Sequence, residues 1–236
     1  MIPRRPDSLV YQVHRLRSAF EQRRSGARTE RLFHEVIASI DRQAFTETVR
    51  KYWTPFPTSG PAKFLDLGFW LREAARRYVV SGLDGRNKGA RVLDLGTGTG
   101  YFLLVCRHEG HQPLGLDVDD EPLYRDCIRF FDLPRVVHRI EPMTALPELG
   151  EAFDLITGFM PCFDMRPDGT SWRIGEWTFF LRDLRSRLKR GGRVVFRFNV
   201  DRTTGDFYSS DVVEAFTRAR EFRTRWFLNS AFLDAR

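Results

Sequence analysis

Asp94, Asp117 and the three glycines of the loop Gly96–Gly100 stand at a spacing that suits one kind of ligand. Gly96, Gly98 and Gly100 alternate with Thr97 and Thr99, and Asp94 stands two residues ahead of the first glycine. Glycine has no Cβ to hold a ligand off. A loop of this composition between a strand and a helix therefore presents backbone N–H groups and the positive end of the helix dipole to something anionic or polar. Twenty-one residues after Gly96, the apolar run Pro113-Leu114-Gly115-Leu116 ends in Asp117. A carboxylate at the tip of the next strand is placed to accept from ribose hydroxyls, so the expected ligand is a nucleoside. Two residues narrow it further. A dinucleotide loop needs a small side chain at position 101, which is Tyr, and Asp94 would repel a diphosphate but welcome an ammonium group.

Further along, Asp164, Glu176 and Asp201 are the candidate proton acceptors. Each also reads as an exposed loop acid or, for Glu176, as a helix N-terminal acid. His138 falls inside a strand pattern, and nothing marks Cys162 as activated. Cys106, Cys127 and Cys162 are odd in number and lack a C-x-x-C pair, which argues against a disulfide framework or a zinc site and for a reducing, cytoplasmic setting with no metal.

The elements that position these residues follow from periodicity. Apolar residues at helical spacing predict helices over 8–20 and 29–52, with a break at Ser25-Gly26-Ala27 and Thr29 as the second N-cap. Three prolines and a glycine in Thr54–Pro61 make a linker or lid hinge, and a helix is expected over 62–81. Strands and helices then alternate: strands at 91–95, 113–117, 136–140, 153–159 and 193–200, helices at 100–109, 121–131, 175–189 and 209–220. That alternation is the signature of an α/β fold, a Rossmann-like, doubly wound, mostly parallel sheet. Residues 1–60 are read as a helical extension or lid and residues 61–236 as the main domain.

Val92-Leu93-Asp94-Leu95-Gly96-Thr97-Gly98-Thr99-Gly100 resembles motif I of the class I S-adenosylmethionine-dependent methyltransferases. Gly115-Leu116-Asp117-Val118 is similar to that family's acidic motif after strand two, Phe153–Ile156 to its strand four, and Leu188–Val194 to its turn into strand five. The resemblance covers about residues 90–200. It implies a class I fold and S-adenosylmethionine as methyl donor, a ligand with an ammonium group and no phosphate. It further implies that Gly96, Gly98 and Gly100 line the methionine moiety, with Thr97 and Tyr101 also among the cofactor-binding residues, that Asp94 serves the amino group, and that Asp117 accepts from both ribose hydroxyls. By the same resemblance Val118 packs on the adenine and Glu141 meets its amino group. Phe159 completes this cofactor set and, with Phe163, Trp172, Trp177 and Phe179, offers an apolar lining for an acceptor, although at helical spacing Trp177 and Phe180 read more simply as core. Where family members that methylate adenine or glutamine carry Asn/Asp-Pro-Pro-Tyr/Phe, this chain reads Gly158-Phe159-Met160-Pro161-Cys162-Phe163-Asp164, which points away from that chemistry.

Methyl transfer from a sulfonium is an in-line displacement, for which Asp164 and Glu176 are the catalytic candidates. The leading expectation is a small-molecule acceptor. The alternatives are a nucleic-acid methyltransferase or a non-catalytic S-adenosylmethionine-binding protein. The formal charge is +7, and the first sixty residues hold eleven basic residues against six acidic ones. Because the signs are mixed, a solvated helical face is favoured over a nucleic-acid arm. No apolar run approaches the ~20 residues a membrane span needs. Only about fifteen residues follow Glu221, enough for one strand or a short hairpin, which would leave a sheet edge for the N-terminal helices or a second subunit of a homodimer to cover.

Overall fold

The computed structural model describes residues 9–54, 60–85, 88–166, 168–200 and 205–236. Helices α1 (Leu9–Ala38) and α2 (Arg42–Val49) lead through 3-10 turns at Arg50–Tyr52 and Pro61–Leu65 to α3 (Leu67–Ser81). There follow β1 (Arg91–Leu95), α4 (Tyr101–His108), β2 (Gln112–Asp117), α5 (Pro122–Phe130), β3 (Arg135–Val137) and β4 (Phe153–Phe159). The chain ends with α6 (Ile174–Ser186), β5 (Leu188–Arg197), α7 (Ser210–Arg218), β6 (Phe222–Phe227) and β7 (Ser230–Ala235). The seven strands form one sheet in the order β3-β2-β1-β4-β5-β7-β6. β1 with β4, β2 with β3, and β4 with β5 pair in parallel, and β7 runs antiparallel to both its neighbours. This is the doubly wound, mostly parallel arrangement that the alternation of elements implies.

The differences from expectation are local. The helix does not break at Ser25-Gly26-Ala27: α1 runs straight through, and Thr29 is buried within it instead of capping a new helix. A single interior glycine costs a helix only ~1 kcal/mol, which a continuing apolar face offsets. The real break is at Ser39–Asp41, where the Ser39 hydroxyl donates back to the Val36 carbonyl (2.7 Å) and Asp41 caps α2 by accepting from the Ala44 N–H (2.9 Å). β3 is shorter than its apolar pattern, stopping at Val137. β5 starts earlier, at Leu188, with an irregular register opposite Phe153–Leu155. The C-terminal residues form a hairpin, the larger of the two outcomes left open. Pro55 and Pro57 of the expected hinge, and Asp201, lie outside the described residues.

The chain divides into two compact units. One contains residues 91–96 and 139–236 with the start of α1. Its core is a cluster of rings around the fully buried Trp177, whose ring centroid lies 5.3 Å from Trp172, 5.4 Å from Phe216 and 6.0 Å from Phe196. The other contains residues 21–90 and 97–138. There α3 packs along α4, and Phe45 of α2 stacks on Phe131 of the α5 terminus (5.6 Å). Asp66 caps α3 by accepting from the Phe69 N–H (2.9 Å), and Gly82 ends it in the left-handed conformation.

Candidate functional site

In the unit that holds the glycine loop, the Gly100 N–H donates to the Thr97 carbonyl (3.0 Å) and closes the turn into α4. Gly100 caps that helix at φ 79°, and a Cβ there would fall 2.6 Å from both Ile128 Cδ1 and Leu133 Cδ1. Packing and backbone both demand glycine. The Gly98 N–H donates to Asp117 Oδ2 (2.6 Å) and the Val118 N–H to Asp117 Oδ1 (2.8 Å). Each carboxylate oxygen so held still has a lone pair for a hydroxyl, and two vicinal hydroxyls need two. Burial pushes the Asp117 carboxyl above its ordinary value, while the two N–H bonds and the Arg135 guanidinium pull against that rise.

The neighbours of this carboxylate complete the loop's wall. Thr97 is buried with its methyl against Gly115, and Val118 is half-buried. Tyr101, at the first turn of α4, is buried and donates its hydroxyl to the Phe64 carbonyl (2.8 Å), so its side chain ties down the segment before α3. Two aromatic residues that the sequence did not single out join here. Tyr124 of α5 brings Cε2 to 4.0 Å from where a Cβ on Gly98 would be, and Phe64 packs edge-on against it (5.6 Å). Nothing in their sequence context marks either one. His138 donates its backbone N–H to the Asp117 carbonyl (2.9 Å), which extends the β2–β3 pairing.

In the other unit, Asp94 is 4% exposed and accepts from the Thr157 hydroxyl (2.6 Å), which faces it across the β1–β4 pairing. Thr157 is a hydroxyl in the middle of the otherwise apolar run Leu155–Phe159, a signal that could have marked it. Gly96 is exposed at φ 70°, and a Cβ there would meet nothing within 4 Å. This open room beside a buried carboxylate is a cradle of the kind an α-amino acid end requires. Glu141 is exposed, and its backbone carbonyl accepts from the Thr144 N–H (3.4 Å). Phe159 is half-buried at the end of β4.

The two catalytic candidates differ sharply. Glu176 is committed to structure: Oε2 accepts from the Arg173 N–H (2.7 Å) in a capping box at the start of α6, and Oε1 pairs with the Arg166 guanidinium. Burial opposes ionisation there, but these donors hold its carboxyl below the usual range. Asp164 is half-buried, and burial pushes its carboxyl up to about 6. Cys162 is exposed with Sγ 3.8 Å from the Met160 carbonyl.

Among the described residues one Glu/His group has ligand atoms close together, namely Glu35, His108 and Glu109. There the Arg28 guanidinium already holds Glu109. A cleft lined by Glu148–Phe153, Ser186 and Arg187 opens at the entry end of β4, away from the carboxyl ends of the strands where such sheets bind ligands.

Comparison with known proteins gives this geometry a context. A family described as "Methyltransferase domain" matches residues 69–228. The tRNA U34 carboxymethyltransferase of Pseudoalteromonas translucida (strain TAC 125) is 34% identical over 146 residues, 61% of this chain and 41% of that protein. The chain thus spans about two fifths of the length of this curated relative. Among solved structures, DesVI of Streptomyces venezuelae superposes with a TM-score of 0.53 at 16% identity, covering 75% of this chain and 98% of that one. S-adenosylmethionine-bound CalS10 of Micromonospora echinaspora, an amino pentose methyltransferase, gives 0.51 at 16% identity over 71% and 92%. At these identities the two structures show the shared fold. No helix among the described residues is long and apolar enough to cross a membrane.

Proposed function

Given that the chain belongs to the methyltransferase-domain family and is an S-adenosylmethionine-dependent methyltransferase, we propose that it transfers the methyl group to a small-molecule acceptor by in-line displacement. The residues present fit the donor. In this reading Asp117, fixed by the Gly98 and Val118 N–H groups, takes the ribose hydroxyls, and Val118 borders the adenine. Asp94 and the open Gly96 serve the amino acid end, and Glu141 has an exposed carboxylate free for the adenine amino group. When bound, the donor supplies an electrophilic methyl group on sulfur; this chain supplies orientation. We assign residues 61–236 as the catalytic domain and residues 1–60 as its N-terminal helical extension or lid.

One observation carries the choice of a small acceptor. Several basic residues described on the N-terminal helices, the turn after them and α3 are paired internally: Arg28 with Asp84 and Glu109, Arg72 with Glu30, Arg76 with Glu73, and Lys51 with Asp126. Charges neutralised in this way offer little to a phosphate backbone. The similarity to a tRNA-modifying enzyme favours the second reading, an RNA acceptor. The deciding experiment supplies tritiated methyl donor with either total tRNA or the low-molecular-mass fraction of a cell extract. Label in the small-molecule fraction, insensitive to ribonuclease, is the expected result; label in tRNA that falls steeply with salt would establish the other reading.

A further inference from the structure

We propose that Asp164 is the general base of this transferase and that its acceptor is therefore an O–H or N–H nucleophile that must give up a proton as it is methylated. The proposal rests on the methyltransferase reading above and deepens it. Its first support is position. Asp164 lies in the connection that leaves the carboxyl end of β4, the end at which doubly wound sheets hold their ligands.

Its second support is the way the residue is mounted. Residues 163–166 and 168–172 pair with one another as the two arms of a small hairpin. The Trp172 N–H donates to the Asp164 carbonyl (2.8 Å), Met165 and Ser171 form an isolated bridge, and the Arg166 N–H donates to the Thr170 carbonyl (2.8 Å). Both arms are anchored in the ring cluster: Phe163 lies 5.5 Å from Trp172 and 5.4 Å from Phe180, and Trp172 is 1% exposed. The tip is braced by Arg166, whose guanidinium donates to Thr170 Oγ1 (3.3 Å), to the Ser171 carbonyl (2.9 Å) and to Glu176. Glu176 is in turn fixed by the Arg173 N–H.

Its third support is what this mount holds. The polar side chains around the hairpin are matched to one another: Arg166 with Glu176, and Asp168 with the Thr170 N–H and hydroxyl (2.9 and 2.7 Å). Among the described residues the Asp164 carboxylate has no side-chain donor and is faced only by its own N–H. A half-buried carboxylate without a partner costs stability, and a stiff support that keeps it so is the arrangement expected of a group reserved for chemistry. The same burial raises its proton affinity to a value of about 6, stronger as a base than an ordinary carboxylate and still mostly ionised at neutral pH. In the transfer step the acceptor lone pair forms the new bond to carbon, and the electron pair of the broken C–S bond stays on sulfur. The acceptor's proton passes to Asp164 Oδ and then to solvent. A thioether acceptor, with no proton to lose, would not need this residue.

The test uses the full chain and Asp164→Asn, with Asp164→Glu as the conservative variant. Calorimetric titration with S-adenosylhomocysteine should give the same affinity for all three, within about twofold, because Asp164 is not part of the donor cradle. In carboxyl-labelled protein, the resonance lost in Asp164→Asn should titrate near 6 in the wild type. Methyl transfer to the low-molecular-mass fraction of a cell extract should fall on the order of 10²–10⁴-fold in Asp164→Asn. It should recover in part in Asp164→Glu, and the acidic limb of the wild-type pH profile should vanish in Asp164→Asn. A carboxyl that titrates near the ordinary ~4, or transfer by Asp164→Asn within threefold of wild type, would overturn the proposal. If the wild type binds S-adenosylhomocysteine but labels no small molecule, the acceptor reading fails and this inference with it. If it does not bind, the donor assignment fails first.

Discussion

In the proposed donor site Asp117 is the residue on which binding would turn, because both of its oxygens are already oriented by backbone N–H groups. Asp117→Ala removes two charge-assisted acceptors and should weaken S-adenosylhomocysteine binding by about 2 kcal/mol, or roughly 30-fold in Kd, by calorimetry. The loop glycines should separate fold from function. Gly100→Ala drives a Cβ into Ile128 and Leu133 at φ 79° and should cost about 3 kcal/mol, seen as a large drop in Tm. Gly96→Ala meets open space, so it should cost only the ~1 kcal/mol of a left-handed backbone while filling the cradle and weakening donor binding. Equal loss of stability in the two variants would disprove this division. At this scale the sequence put forward Asp94, the glycines and Asp117 as donor-binding candidates from residue type alone, and the variants above test Asp117 and the glycines. It was silent on partners set by distant pairing: Thr157 meets Asp94 across sixty-three positions, and the Phe64 carbonyl takes the Tyr101 hydroxyl.

At the scale of elements, the same distinction explains what was read correctly and what was not. β1 and β4 coincide with their predicted runs because parallel strands covered on both faces are predominantly apolar. The expected break at Ser25–Ala27 failed because glycine is a weak helix breaker, whereas the true stop at Asp41 depends on a side chain that caps the next helix. Glu176 shows how one residue type can serve two readings. Its place three residues after Arg173, at the start of a helical pattern, suits a cap as well as a base, and only the structure shows both oxygens in use. Glu176→Ala should therefore loosen the start of α6 and the hairpin that Arg166 braces. The expected cost is about 1 kcal/mol of stability, with faster hydrogen exchange at the Trp172 N–H, which closes that hairpin. An unchanged exchange rate at Trp172 would show that the brace carries no load.

For the whole molecule, the carboxylates pull stability in opposite directions with pH. The Arg135 and Arg125 partners of Asp119, the Lys51 and Tyr52 partners of Asp126, and the Thr170 contacts of Asp168 hold those carboxyls below the ordinary range. Asp234 is also held low, by Arg193 and Arg225 against the effect of burial. A depressed folded-state value contributes stability that is present above the unfolded value near ~4 and is lost as pH falls through the folded one, so these groups favour unfolding in acid. Asp164 has the opposite sign. Its folded-state value of about 6 means that the folded chain holds the extra proton between ~4 and 6, so its contribution is present below ~4 and is lost as pH rises through 6. Asp117, also raised by burial, acts in the same direction. Thermal stability should therefore peak at about pH 4–5 and decline toward neutrality, mostly by about pH 6, a decline that Asp164→Asn should reduce by on the order of 1–2 kcal/mol after allowance for partial solvent screening. Melting curves at half-unit pH steps would decide it. A wild type whose stability keeps rising to pH 7.5, or a variant whose profile runs parallel to it, would show that the Asp164 carboxyl is not the desolvated group described here.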